Sequence, residues 1–193
     1  MEEELAANEC RSYGQKEAEA SINKLLDGLG GIDGLLGSAR KILVKPNLLM
    51  PSKPEGHVTT NPILVKIIVE KLFELGCEVI IADSPGGPYN RIMLKNLYKK
   101  TGLLEVADET GVKLNYDTSS GFVELKNGET MGGFNLIKPY IDCDMVVNMP
   151  KLKTHMFTYF TGAVKNCFGL IPGLEKTVFH SKFPDPKDFS EML

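Results

Sequence analysis

The sequence predicts an α/β domain: a mostly parallel open sheet with flanking helices and a small antiparallel excursion. Three observations carry that expectation. Short aliphatic runs alternate with longer stretches of helical periodicity. Residues 40–84 read as strand, loop, helix and strand, a βαβ unit, which implies a parallel pair with a right-handed crossover. The runs ILVK, VIIAD and MVVN each lead into a polar loop bearing Pro or Gly.

The elements follow in order. Residues 15–28 place Ala18, Ile22, Leu25 and Leu26 on one helical face, and GLGG then stops the helix. RKILVK (40–45) reads as a short buried strand ending at Pro46. Residues 61–75 give the clearest helix. Thr60 or Asn61 caps it, Pro62 suits its first turn and Gly76 ends it. CEVIIADS (77–84) is a second buried strand. Residues 90–109 are helical with a break near Gly102. LNY (114–116), FVEL (122–125) and FNLI (134–137) are short and separated by Gly and Asn, so the antiparallel excursion is expected there. DMVVNMPKLK (144–153) returns to a buried strand running into a polar loop. Residues 1–39 are expected to form a helical segment packed on a domain of residues 40–193. DFSEML (188–193) reads as a helix start without its end, so the domain is expected to be truncated there.

Composition narrows the function classes. The 193 residues are 42% hydrophobic and 24% charged, which is ordinary for a globular protein. The net charge of −3 gives no global attraction for nucleic acid or anionic membrane, so any basic site is local. Met1 is followed by three glutamates rather than an apolar run, and no apolar stretch approaches bilayer length. The expectation is a soluble, cytoplasmic protein without nucleic-acid or membrane partners. The four cysteines (10, 77, 143 and 167) form no CxxC pair, which argues against a zinc ribbon or iron–sulfur cluster within these residues. Cys77 and Cys143 read as small core hydrophobes.

In an open parallel sheet, ligands sit beyond the carboxyl ends of the strands. Three loops are therefore candidates for one site. At the first strand end stand Lys45 and Asn47, on a connection longer than the usual βα loop. DSPGGP (83–88) offers Asp83 for a ligand hydroxyl or a cation, with Ser84, Gly86 and Gly87 as anion-binding backbone. It matches neither of the usual glycine-rich phosphate signatures. The third loop is PKLKTHMFTYFTGAVKNCFGLIPG (150–173). Lys151, Lys153 and His155 alternate just past a strand, so they share a side if the chain stays extended, with Thr154 among the expected ligand contacts. Thr161-Gly162-Ala163 opens a helix with Lys165 in its first turn, where an anion is favoured. A lysine desolvated among cations loses its proton more readily and becomes a nucleophile. The histidines suit acid–base chemistry or metal ligation.

VKPNLL, TTNP, ADSPGG and above all NMPKLKTH…TGAVKNCFGLIPG…K…H…FPD resemble domain-of-unknown-function family 362, from about residue 40 to the end. Many members of that family are iron–sulfur proteins through a four-iron ferredoxin module that follows the domain. The resemblance thus implies a 4Fe–4S cluster only if such a module follows, and none within these residues. The spacing His155, Lys165, then Pro-Gly and His180 is similar, more distantly, to that of the nickel-pincer lactate racemase. That likeness implies His155 as acid/base, Lys165 as a cofactor anchor and His180 as a ligand of a divalent metal, with His57 as a positional candidate for a further catalytic histidine. TGAVKN stands where the racemase has a Ser-Gly-Gly run.

The expected function is binding of a small anionic ligand or cofactor at the strand carboxyl ends, with His155, Lys165 and Lys153 performing acid–base chemistry. The alternative is a redox module that works with a ferredoxin-type partner. A third reading makes the basic cluster a docking surface only.

Overall fold

The computed structural model describes residues 5–125 and 131–193. In chain order the elements are α1 (Gln15–Gly28), α2 (Ile32–Leu36), β1 (Lys41–Pro46), α3 (Pro62–Glu74), β2 (Glu78–Ile81), α4 (Arg91–Lys100), α5 (Leu103–Thr110) and β3 (Lys113–Leu114). Then come β4 (Ser120–Glu124), β5 (Gly133–Ile137), α6 (Lys138–Ile141), β6 (Met145–Met149), β7 (Lys153–His155) and β8 (Tyr159–Thr161). The chain ends with α7 (Ala163–Cys167), α8 (Glu175–Lys182) and α9 (Pro186–Met192).

The main sheet has four parallel strands in the order β3-β2-β1-β6. β1 sits between two neighbours and is buried from Ile42 to Pro46, which is why ILVK is apolar without alternation. The pleat still divides it. Ile42 and Val44, with Val79 and Ile81 of β2, face the large core formed with α1, α3, α4 and α5. Leu43, with Ile80 and Val146 beside it, faces a second core shared with Ile137, Tyr140 and Leu170. A third, aromatic cluster gathers Phe168, Ile171, Phe189 and Met192 near the carboxyl ends of the strands.

α3 forms where the sequence places it. The Asn61 side chain accepts from the Ile63 N–H at 3.0 Å, Pro62 occupies the first turn, and Gly76 leaves the helix at φ +72°. Val65, Ile67, Ile68, Val69 and Leu72 are its buried face. α1 contributes Ala18 and Ile22 to the same core. The expected antiparallel excursion is the β4–β5 hairpin, paired from Ser120–Ile137 to Glu124–Gly133. One part of that expectation is corrected. The LNY stretch belongs to the main sheet, because Lys113 and Leu114 pair in parallel with Ile80 and Ile81 of β2. β7 and β8 form a second small hairpin that the sequence reading leaves as loop.

Candidate functional site

The connections leaving β1, β2 and β6 meet at one end of the sheet. β1 hands the chain to β2 on one side and has β6 on the other. That is the reversal point where open α/β sheets hold ligands. Side-chain amides fix the arrangement. Asn166 of α7 donates to Asn148 Oδ1 at 2.7 Å and to the Lys45 carbonyl at 3.3 Å, and accepts from Asn47 at 3.1 Å. Thr60 accepts from the Asn47 N–H at 2.8 Å and donates to the Met149 carbonyl at 2.6 Å. The ends of β1 and β6 are thereby held against α7.

The floor is a buried ion pair. Lys45 Nζ donates to Asp83 Oδ1 at 2.6 Å, and their side chains are 0% and 4% exposed. The other Asp83 oxygen accepts from the Leu48 N–H at 2.8 Å. The pair lies against Gly169, where a Cβ would come within 2.7 Å of Lys45 Nζ and closer still to Asp83. Only a glycine lets the 168–170 turn cover it. The Gly169 carbonyl also accepts from the Ser84 N–H at 2.9 Å.

Above this floor is a cavity of about 230 Å³ whose walls include Asn47, Asp83, Ser84, Gly86 and Gly87. Three lysines and two histidines join them: Lys153, Lys165, Lys176, His155 and His180. Lys153 donates to Asn47 Oδ1 at 3.1 Å and to the Val58 carbonyl at 2.9 Å. Lys176 donates to the Ser84 carbonyl at 2.8 Å, the Ser84 hydroxyl at 3.0 Å and the Pro85 carbonyl at 3.2 Å. Lys165 has no hydrogen-bond acceptor among the described residues. Its ammonium stands 5.4 Å from the Phe168 ring centroid and 5.2 Å from that of Phe189.

Burial depresses each of these groups first, and neighbouring positive charge adds to it. Burial, and then Lys151, lower Lys153, with Asp83 pulling the other way. Burial, and then Lys153, lower Lys165. Burial lowers Lys176 to about 8. His155 is held below its ordinary value by burial first, then by Lys165, His180 and Lys153. Its Nδ1 faces the N–H groups of Phe157 at 3.1 Å and Thr158 at 3.3 Å. Two donors at Nδ1 put the proton of the neutral ring on Nε2. His155 therefore meets a ligand as a neutral Nε2–H donor.

The structure thus brings Asn47, Asp83, Ser84, Gly86, Gly87, Lys153, His155, Lys165 and His180 to one cavity. Others of the expected set lie elsewhere. Lys45 lies beneath the wall, closed off by Asp83. Lys151 turns away to the Tyr13 ring, 5.7 Å from its centroid, because the chain is not extended until β7 begins at residue 153. Thr154 is exposed on the opposite side of β7 from Lys153 and His155, as strand alternation requires. His57 stacks near Tyr13, 6.3 Å between centroids, on the wall of a separate apolar hollow. Lys176, Asn166 and Phe168 line the cavity although the sequence reading gives them no role. Lys176 is legible only once Pro172-Gly173 is known to fold α8 back onto the β2 loop.

A larger hollow of about 440 Å³ is lined by residues such as Lys41, Lys113, Lys138 and Glu78. Two of its lysines are already paired, Lys113 with Glu78 and Lys138 with Asp142. It offers an anion less than the cavity at the strand carboxyl ends does.

Among the described residues, the side chains around the cavity do not fit a metal or an iron–sulfur cluster. Among the described residues no three His, Cys, Asp or Glu side chains gather around one point. The His180 ring lies flat on Phe189, 4.6 Å between centroids and 8° between planes, so the ligand role expected of it has no companions. His155 Nε2 carries a proton, which a metal would have to displace onto Nδ1 against two N–H donors. The cysteines are free and dispersed. Cys77 is buried in the large core, Cys143 packs against the second, and Cys10 and Cys167 are exposed.

Among the described residues no helix is long and apolar enough to cross a membrane. A thylakoid-associated protein of Synechocystis sp., sll1697, is 31% identical to this chain over 190 residues, covering 95% of the chain. The chain spans about half that relative's length, 56%. The family described as "domain of unknown function (DUF362)" matches residues 42–193, which takes in β1 through α9 and every wall of the cavity. Neither the family match nor the relative's alignment shows the likeness to the racemase. By the extent of the family match and of the relative's alignment, the chain belongs to the DUF362 family.

Proposed function

We propose that this domain binds a small anionic ligand in the cavity at the carboxyl ends of its strands and performs acid–base chemistry on it with His155 and Lys165. One observation carries the reading. Lys153, Lys165 and Lys176 line the cavity, and the one acidic side chain among its described walls, Asp83, is already neutralised by Lys45. Half-buried ammonium groups without anions are costly, and a bound anion relieves all three at once. Ser84 and Asn47 supply neutral hydrogen-bonding groups beside them. The Nε2–H of His155 suits a developing negative charge on ligand oxygen.

Calorimetric titration with inorganic phosphate and a series of mono- and dicarboxylates tests this. At least one anion is expected to bind saturably, more weakly as salt rises. Lys165→Met is expected to weaken it about tenfold or more, the scale of one charge-assisted hydrogen bond. Lys165 has no hydrogen bond among the described residues to lose, so the variant should fold as the parent does. Flat titrations across the series would overturn the proposal.

A further inference from the structure

The three cavity lysines are not equivalent. Lys153 and Lys176 donate to carbonyl, amide and hydroxyl oxygens, which fix where their amino groups point. Lys165 is tethered by nothing among the described residues. It rises from a five-residue helix between the Phe168 and Phe189 rings. The ring faces attract its ammonium form. Burial and the Lys153 charge oppose that form, and the net direction is downward. A primary amine with no acceptor for its protons, apolar walls and a cation beside it is placed to act as a nucleophile.

We propose that Lys165 forms an imine with a carbonyl carbon of the ligand, and that the ligand class is small oxo acids: a carboxylate for Lys153 and Lys176, a ketone or aldehyde for Lys165. The inference rests on the anion-binding reading of the same cavity. The Lys165 Nζ lone pair forms the C–N bond while the carbonyl π pair moves onto oxygen. Both amine protons pass to that oxygen, which leaves as water, and the C=N bond replaces C=O. No oxidant or reductant enters. His155, neutral and protonated at Nε2, steadies the charge on the carbonyl oxygen while it exists. Asp83 is no competing base, because Lys45 and the Leu48 N–H already occupy it.

Reductive trapping tests this. The protein is incubated with glyoxylate or pyruvate and sodium cyanoborohydride, and the secondary amine is located by peptide mapping. Labelling at Lys165 is expected to run at least about tenfold faster than at the exposed Lys16 and Lys95, because the cavity holds the oxo acid beside the Lys165 amine. It should saturate with oxo-acid concentration. Lys165→Arg should abolish it, while the parent protein should bind oxalate, which has no ketone or aldehyde carbon, saturably and without labelling. Oxalate binding without preferential labelling of Lys165 overturns the imine and leaves the anion site standing. Neither binding nor labelling overturns both. Labelling spread evenly over exposed lysines overturns the imine, and wild-type mapping alone reveals it even if the arginine variant misfolds.

Discussion

Two layers of this site use the same residue type in opposite ways. In the floor, Lys45 is fully buried and spends its charge on Asp83. In the wall, Lys153, Lys165 and Lys176 point their charges at a cavity and at neutral oxygens or aromatic rings. The floor is closed electrostatically and serves the fold. The wall is open electrostatically, and in the reading proposed above it serves a ligand. A lysine alone does not reveal its layer, and burial does not either. What separates them is whether the counter-charge comes from the chain.

The contrast is sharpest if the floor is broken. Asp83→Ala leaves Lys45 buried without an anion and the Leu48 N–H without its acceptor. It should cost about 3–5 kcal/mol of stability, read from the shift in urea midpoint. Pairing Lys45→Met with Asp83→Leu should recover most of that loss, because an apolar pair of similar volume replaces the ions. A loss below about 1 kcal/mol for Asp83→Ala would show that the floor is not closed as described.

Gly169→Ala attacks the same pair from above. The new Cβ enters the space of Asp83 Oδ1 and Lys45 Nζ, and neither can withdraw from a packed floor. A destabilisation of about 1–3 kcal/mol is expected, the usual cost of overpacking a buried site. A variant as stable as the parent would mean that the ion pair has room to shift.

The elements of this site were readable from sequence to different depths. The strand ends at Lys45, Asp83 and Asn148 follow from apolar runs stopped by Pro or Gly, and the topology rule places them together. Asn47, Lys153 and His155 follow from nearness to those ends. The difference between Lys45 and Lys153 does not, because both look like strand-end lysines. It depends on the parallel register that sets Val44 beside Ile81, two residues before Asp83. Lys151 and Thr154 were misplaced for a local reason: the pleat of a three-residue strand starting at residue 153 decides which neighbours share a side. Lys176 was invisible because the approach of α8 to Ser84 is purely tertiary. It runs through Gly173, whose N–H donates to the Ser84 hydroxyl at 2.7 Å and whose φ is +35°.

The wall is broken with less effect on the fold. Lys165→Met removes a charge that has no carboxylate partner among the described residues, and an apolar chain keeps the contact with the Phe168 and Phe189 rings, so the urea midpoint should stay close to that of the parent. Anion affinity should fall by roughly tenfold to a hundredfold, corresponding to about 1.5–3 kcal/mol for one interaction with a charged group. The same substitution in the floor, Lys45→Met, should do the reverse: a large loss of stability, and any loss of affinity only through misfolding. If both variants lose stability alike, the two layers are one.

The pH effect is the most diagnostic, because the two layers predict different slopes. Lys176 is held at about 8 in the folded protein by burial, with Asp83 and Glu175 raising it and Lys45 lowering it. Its ordinary value is 10.5. Between those limits the unfolded chain holds a proton that the folded chain has released. Unfolding then takes up that proton, so stability rises with pH from about 8 to 10.5. Anion affinity moves the other way, since the wall loses a positive charge as pH passes about 8. A bound anion favours the ammonium, so the complex should hold that proton to higher pH than the free protein. Subtracting the profiles of Lys176→Met from those of the parent isolates both slopes from the titrating tyrosines. A stability profile flat from about 8 to 10.5 would assign Lys176 to the floor, as a cation that the chain already balances and that stays charged, folded or unfolded, over that interval.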